Sequence, residues 1–385
     1  MEYKVIEGGG ITSPKGFTAG AVYVGVKSRK SQKPDVAVLY SETEASCAAV
    51  FTTNKFCAAP VILDREILKN GKARAIVINS GNANAATGTQ GIEDARTVER
   101  EAEKLLGVGE NEVFVCSTGV IGQKLPVEKV LDGVRQIIPA KLDKDNGSDA
   151  AYAIMTTDTV RKESAYELEL SSGTIRIGAM AKGSGMIHPN MGTMLCFITT
   201  DCAISPEMIR SALLDTVQVS FNRISVDGDT STNDTCCVLA NGLAGNPPIT
   251  GKGPDYDAFV EALKALCVEL ARKMASDGEG ASHLITCTVT GAKSEESAET
   301  IAKSVIGSAL TKAAIFGADA NWGRVLCAMG YSGEDFDPDK VDVAFQSQAG
   351  SVQVCARGRG LDFDEDLAKK VLKEHDVTIA IAMGE

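Results

Sequence analysis

The chain has 385 residues, 44% of them hydrophobic and 23% charged, enough apolar material for two or three domains or one large layered one. That balance excludes disordered, collagen-like and coiled-coil classes. Lys and Arg number 39 against 51 Asp and Glu, a net charge of −12, and aromatics are 5% with one tryptophan, so the sequence lacks the basic and stacking character of a nucleic-acid or anionic-membrane binder.

The opening Met-Glu-Tyr-Lys-Val-Ile-Glu-Gly has no basic start leading into an apolar run, so no secretory signal is expected. No apolar stretch has the length a membrane span needs. Eleven cysteines sit mostly inside apolar runs, without a Cys-x-x-Cys pair, and read as buried reduced thiols of a cytoplasmic protein.

Segments 36–39, 75–78 and 113–116 read as buried strands. Between the last two, Ile92, Ala95, Val98, Ala102, Leu105 and Leu106 recur at helical spacing, and Gly107 offers the helix C-cap. Pro126-Val127-Glu128 opens a further helix. Segment 174–179 predicts a strand leading into a Gly/Pro/Asn loop, and 194–198 predicts the strand that follows. Residues 241–257 are the most loop-like stretch, either a surface loop or a boundary. Phe259, Leu263, Leu266, Leu270 and Met274 mark one face of a long helix. Segment 297–316 predicts one helix, flanked by strand-like runs at 284–290 and 325–329, and 376–383 predicts a last strand. Strict β-α-β alternation is not kept, so the expected fold is α/β, an α+β layered sandwich fitting as well as a parallel sheet.

The three histidines, His188, His283 and His375, have no partners at ligand spacing, so no metal or cofactor is expected. Gly8-Gly9-Gly10 and Lys182-Gly183-Ser184-Gly185 match no phosphate-loop pattern, and no Gly-x-Ser-x-Gly elbow stands out. The densest anomaly is 179–201, where Gly192-Thr193 opens an apolar strand. If the bond between them were cut, Thr193 would become an N-terminal threonine whose α-amine, with an ordinary pKa near ~8, could serve as base for its own hydroxyl. From spacing alone the plainer reading is a strand-opening threonine. Cys116-Ser117-Thr118-Gly119 follows a strand, so backbone N–H groups at that turn could bind an oxyanion, or Thr118 could merely cap a turn. The polar run 225–235 reads as a solvated loop or a functional segment.

Several motifs then coincide. They are Phe51-Thr52-Thr53-Asn54 with Ala58-Ala59-Pro60-Val61, Asn79-Ser80-Gly81-Asn82-Ala83-Asn84-Ala85, and Ser117-Thr118-Gly119-Val120-Ile121-Gly122. They continue with Lys182-Gly183-Ser184-Gly185-Met186-Ile187, Pro189-Asn190-Met191-Gly192-Thr193-Met194-Leu195, Val226-Asp227-Gly228-Asp229-Thr230-Ser231-Thr232-Asn233-Asp234, and Gly317-Ala318-Asp319 to Asn321-Trp322-Gly323-Arg324-Val325. In this order they resemble the ornithine acetyltransferase family, the glutamate N-acetyltransferases of cyclic arginine biosynthesis. The resemblance implies the layered, DmpA-like α/β fold and self-cleavage between Gly192 and Thr193, with Thr193 as nucleophile and Thr118 and Gly119 as oxyanion hole. It places Thr156, Lys182, Thr193 and Glu279 at the substrate, and no metal. It implies N-acetylornithine and glutamate as substrates, acetyl-CoA as a possible second donor, and an α2β2 heterotetramer, with no nucleic acid and no membrane.

The expected division is an α chain at 1–192, a β-chain part at 193–280 completing the body and active site, and a C-terminal α/β domain at 281–385. Relatives continue past the last strand into a tail carrying an Asn and a terminal Ser/Thr of the substrate site; this sequence ends at Gly384-Glu385, so the tail is expected to be truncated. Gly192 stands where many relatives have Ala, and His188, where many have Ala or Glu, is expected to be an ordinary loop residue. The alternatives are an N-terminal-threonine amidase or aminopeptidase, with water as acceptor, and a non-catalytic binding protein.

Overall fold

The computed structural model describes residues 3–27, 32–188 and 194–384. Two compact units emerge, one made of 1–222 and 229–277, the other of 223–228 and 278–385.

The first unit carries strands β1 (Tyr3–Val5), β2 (Phe17–Val22), β3 (Val36–Phe51), β4 (Lys72–Asn82), β5 (Val113–Val120), β6 (Lys162–Leu170), β7 (Gly173–Lys182), β8 (Leu195–Thr200) and β9 (Thr235–Ala240). Its helices are α1 (Ala59–Ile67), α2 (Gly88–Leu106), α3 (Val127–Ile137), α4 (Gly147–Ala153), α5 (Pro206–Val219) and α6 (Pro254–Ser276). The sheet runs β1-β6-β7-β8-β9-β3-β4-β5, with β2 also on β3. Pairs β8/β9 and β4/β5 are parallel and the rest antiparallel. The 16-residue β3 breaks register between Tyr40 and Ala45, and so pairs β2 along its first half and β9 along its second.

Helices cover both faces. Every residue of β8 and β9 is buried, as strands packed on both sides must be. Neighbouring β9 residues look opposite ways: Cys236 faces Cys267 of α6, and Cys237 faces Asp64 of α1. Phe259, Leu263, Leu266, Leu270 and Met274 are the buried stripe of α6, as their spacing predicts. Gly107 ends α2 in the left-handed conformation (φ +66°), its N–H closing on Glu103. Gly178 on β7 lies so close to the Gly10 carbonyl that a Cβ would stand 2.1 Å from its oxygen. All eleven cysteines are free thiols.

The second unit holds β10 (Leu284–Thr290), α7 (Glu295–Gly307), α8 (Ala309–Phe316), α9 (Trp322–Gly330), β11 (Asp342–Ser347), β12 (Gly350–Ala356), β13 (Arg359–Gly360), α10 (Glu365–Leu372) and β14 (Asp376–Ala382). Its sheet order is β10-β14-β11-β12-β13, with only β10/β14 parallel. Its own core includes Ile301, Val325, Met329, Phe345, Val371 and Ile379.

Two sequence expectations fail here. The helix expected over 297–316 is two helices, α7 and α8. Gly307 weakens the first, and Ser308, extended at ψ 116°, caps the second by accepting the Thr311 N–H. The strand expected at 325–329 is part of helix α9, which buries Val325, Ala328 and Met329; a short apolar run fits either period, and this one follows the helical one. Among the described residues no helix is long and apolar enough to cross a membrane.

Candidate active site

The C-terminal end of β5 lies beside the C-terminal end of β4, so Thr118 pairs with Ser80 and Gly119 with Gly81. Parallel pairing tolerates this approach because Gly119 has no side chain. A Cβ there would stand 2.3 Å from the Gly81 carbonyl carbon and 2.5 Å from the Asn82 nitrogen, and its φ of +136° suits glycine alone. The register shifts at Gly81/Asn82, which interrupts the regular ladder at this turn.

Amide side chains brace the turn. Ser117 Oγ donates to Asn79 Oδ1 (2.6 Å), and Asn233 Nδ2 donates to the carbonyls of Ser117 (2.7 Å) and Ala83 (2.6 Å). Asn82 Nδ2 donates to the carbonyls of Gln123 and Lys124, both at 3.2 Å. Thr232, Asn233 and Asp234 are buried, so this end of the 225–235 run is structural filling beneath the turn and its reading as a solvated loop fails.

Lys182, the last residue of β7, is 8% exposed, and its Nζ donates to Thr118 Oγ1 at 3.0 Å. An ammonium only donates, so the Thr118 hydroxyl receives from Lys182 and keeps its own hydrogen for another acceptor. Burial pulls the Lys182 pKa below that of an ordinary lysine, with Asp158 and Asp234 partly offsetting it.

Asp158 joins the other elements. Its Oδ1 accepts from Lys162 Nζ (2.7 Å) and the Gly183 N–H (2.8 Å), and its Oδ2 accepts from the Thr156 N–H (3.0 Å). One carboxylate therefore fixes Thr156 and the residue after Lys182 together. Burial alone would raise its pKa; the positive charges of Lys182 and Lys162 and its hydrogen bonds outweigh that and hold it below the usual aspartate range. Lys162 is fully buried and reaches a second carboxylate, Asp277 Oδ2, at 2.6 Å. Asp277 also accepts from the Thr159 N–H and hydroxyl, and the Ser184 hydroxyl donates to its main-chain carbonyl.

Of the sequence-predicted residues, Thr118, Gly119, Lys182 and Thr156 are gathered on the first unit through these contacts. Glu279 belongs to the second unit, exposed, in a turn closed by the Ala281 N–H on the Gly278 carbonyl. Gly192 and Thr193 lie outside the described residues. The chain is described again from Met194, which is buried; its carbonyl accepts the Thr235 N–H, and Leu195 pairs with Lys182. His188, half-buried, accepts the Thr230 hydroxyl on its backbone carbonyl. Sequence reasoning missed Lys162, Asp158 and Asp277, and it passed over Asp234 inside the 226–234 motif. The one available signal was a lone lysine among the glutamates of the strand at 162–170.

The first unit is a layered α/β body in which a glycine turn, braced by amide side chains, stands beside a buried lysine, a frame compatible with an acyltransferase. The particular family comes from comparison: residues 18–385 match the model of the ArgJ family, and the chain belongs to that family. It is 51% identical over 375 residues to the arginine biosynthesis bifunctional protein ArgJ of Caldanaerobacter subterraneus subsp. tengcongensis, covering 97% of this chain and 92% of that one. It is 50% identical over 369 residues to the protein of the same name from Symbiobacterium thermophilum, covering 96% and 90%. Among solved structures, an ornithine acetyltransferase from Mycobacterium tuberculosis, complexed with ornithine, is 36% identical over a match covering 49% of this chain and 99% of that chain, with a TM-score of 0.46.

Proposed function

We propose that the chain is a self-processing glutamate N-acetyltransferase that moves the acetyl group of N-acetylornithine to glutamate in arginine biosynthesis. The observation that carries the reading is the Thr118–Lys182 contact: it leaves a hydroxyl hydrogen on a buried threonine beside the exposed, glycine-permitted turn at Gly119, as an oxyanion site requires. Family membership supplies the reaction class.

In maturation the Thr193 hydroxyl attacks the Gly192 carbonyl carbon. The C–N bond breaks, an ester forms, and the nitrogen leaves as the Thr193 α-amine. Water then hydrolyses the ester and frees the Gly192 carboxylate. The products are chains 1–192 and 193–385, the second comprising the 193–280 part of the body and the 281–385 domain. In turnover the Thr193 Oγ attacks the acetyl carbonyl, and Thr118 and Gly119 hold the negative oxygen. Ornithine departs with a proton on its amine, and acetyl-Thr193 remains. The glutamate amine attacks that ester, N-acetylglutamate leaves, and the hydroxyl is regenerated. One nucleophile serving two substrates in turn is a ping-pong scheme. Thr156, Lys182 and Glu279 bind the amino-acid portions, and the two chains pair as α2β2 in the cytoplasm. The word "bifunctional" in the relatives' name is the ground for testing acetyl-CoA as a second donor.

The test is ornithine release from N-acetylornithine with and without glutamate. Release that depends on glutamate and yields N-acetylglutamate supports the transferase; release that ignores glutamate makes the protein an amidase and overturns it.

A further inference from the structure

The sheet edge that leads into the turn at Ser117–Gly119 is closed by side chains. Strand β5 is the last strand of its sheet and, among the described residues, pairs with β4 alone. In a parallel pair alternate residues turn toward the neighbouring strand, and those between them present N–H and C=O groups to the open edge. Val115 and Ser117 are two of these. The Ser117 carbonyl takes Asn233 Nδ2. The Val115 N–H donates to Asp64 Oδ1 at 2.9 Å, and the Cys116 thiol lies 3.5 Å from Asp64 Oδ2.

Asp64 is a fully buried residue of α1. The start of α1 is itself tied to the site. The Ala58 N–H donates to the Thr232 carbonyl (2.8 Å) and the Ala59 N–H to the Asn84 carbonyl (3.0 Å). Thr232 adjoins Asn233, and the Asn84 N–H donates to Asn82 Oδ1 (2.8 Å), so helix and turn share one frame. Burial pushes the Asp64 carboxyl well above the usual aspartate range; its contacts with Val115 and Cys116 work against that, and Glu99 of α2 adds to it. The neutral acid favoured in this way still offers an acceptor oxygen to Val115. We propose that Asp64 is a positioning residue for acyl transfer: by holding the Val115 N–H it fixes the open edge of β5, and with it the Thr118 hydroxyl and Gly119 backbone just beyond. The inference rests on the oxyanion reading of Thr118 and Gly119 above. Asp64 acts through β5 and not on substrate. A strand edge that loses its acceptor leaves a buried N–H unpaired and can shift, and a displacement of about 1 Å at a reacting centre costs about 10²-fold in rate.

The test uses the full chain with D64N, which keeps the acceptor oxygen without a charge, D64A, which removes it, and T118V. Cleavage is read by intact mass, folding by thermal melting, and exposure of the β5 edge by amide hydrogen exchange over 113–120. The kcat and KM for N-acetylornithine are measured on the cleaved fraction, well below each melting temperature. D64A should mature, lose at least about tenfold in kcat with KM within threefold, and exchange faster along β5. D64N should restore kcat to within threefold of wild type and restore the slow exchange. Should D64A not fold, D64S carries the same expectation. A folded D64A or D64S with kcat within threefold of wild type overturns the inference, whatever its melting temperature, as does one that never matures. A D64N protein as impaired as D64A also overturns it, since the acceptor oxygen would then not be what matters. If T118V keeps wild-type kcat, the oxyanion reading itself fails. If T118V loses kcat while D64A does not, the positioning inference alone fails.

Discussion

Gly119→Ala places the hardest demand on the account, because one methyl group tests both the fold and the oxyanion turn. The added carbon would lie 2.3 Å from the Gly81 carbonyl carbon, 2.5 Å from the Asn82 nitrogen and 2.7 Å from the Gly81 Cα, all backbone atoms of a paired strand that have no rotamer to escape into. The φ of +136° adds strain of roughly 1–3 kcal/mol, and overpacking adds about 1–3 kcal/mol. Together they should destabilise the protein by roughly 2–6 kcal/mol, or roughly 5–20 °C in melting temperature for a body of this size. Relief requires β5 to pull away from β4, which displaces the Gly119 N–H from the oxyanion position proposed for it; loss of such a donor costs about 10²–10³ in kcat. The assay is thermal melting alongside steady-state ornithine release, made on the cleaved fraction of the protein. A Gly119→Ala protein that melts within 1 °C of wild type and keeps its kcat would refute the placement of this turn.

Thr118→Val removes the hydroxyl hydrogen that Lys182 leaves available and should lower kcat by about 10²–10³, whereas Thr118→Ser should keep most of it; equal rates in the two variants would show that the hydroxyl does not act. Lys162→Met leaves Asp158 and Asp277 without their shared cation and should cost about 3–5 kcal/mol in chemical denaturation. Both carboxyls have folded pKa values below the ordinary 3.8, so their contribution is present above that value and is lost as pH falls through the depressed pKa values; in Lys162→Met, acid unfolding should begin at higher pH than in wild type. Ser308→Ala removes the cap that starts α8 and should cost about 0.5–2 kcal/mol in the same measurement, with ornithine release unchanged.

Much of the first unit is legible in the sequence because its strands are buried on both faces and spell short apolar runs, as at 36–39, 75–78 and 113–116. Helices α2 and α6 declare themselves through spacing, and α2 also through Gly107. Legibility fails where one local pattern admits two periods: Val325, Ala328 and Met329 read as strand or helix until the second unit's core decides. It fails again at Ser308, where a single capping hydroxyl divides what the apolar pattern joins.

The site divides in the same manner. Thr118, Gly119, Thr156 and Lys182 are recognisable as motif residues. Lys162, Asp158 and Asp277 form a charged cluster through contacts spanning up to 115 positions in the chain, and no local pattern reports such a contact. Asn233 holds the turn at Ser117–Gly119 from 116 positions beyond Ser117, and in the sequence it looks like one more polar residue of a loop.

The central claim is that Thr193 becomes the head of its own chain and then carries the acetyl group. Mass spectrometry of the purified protein, mixed briefly with N-acetylornithine in the absence of glutamate, tests it in one measurement. The account predicts two fragments divided between Gly192 and Thr193, the second beginning Thr-Met-Leu-Cys and gaining one acetyl group on Thr193 that glutamate then removes. A single unbroken chain, or an acetyl group on any other residue, would contradict it.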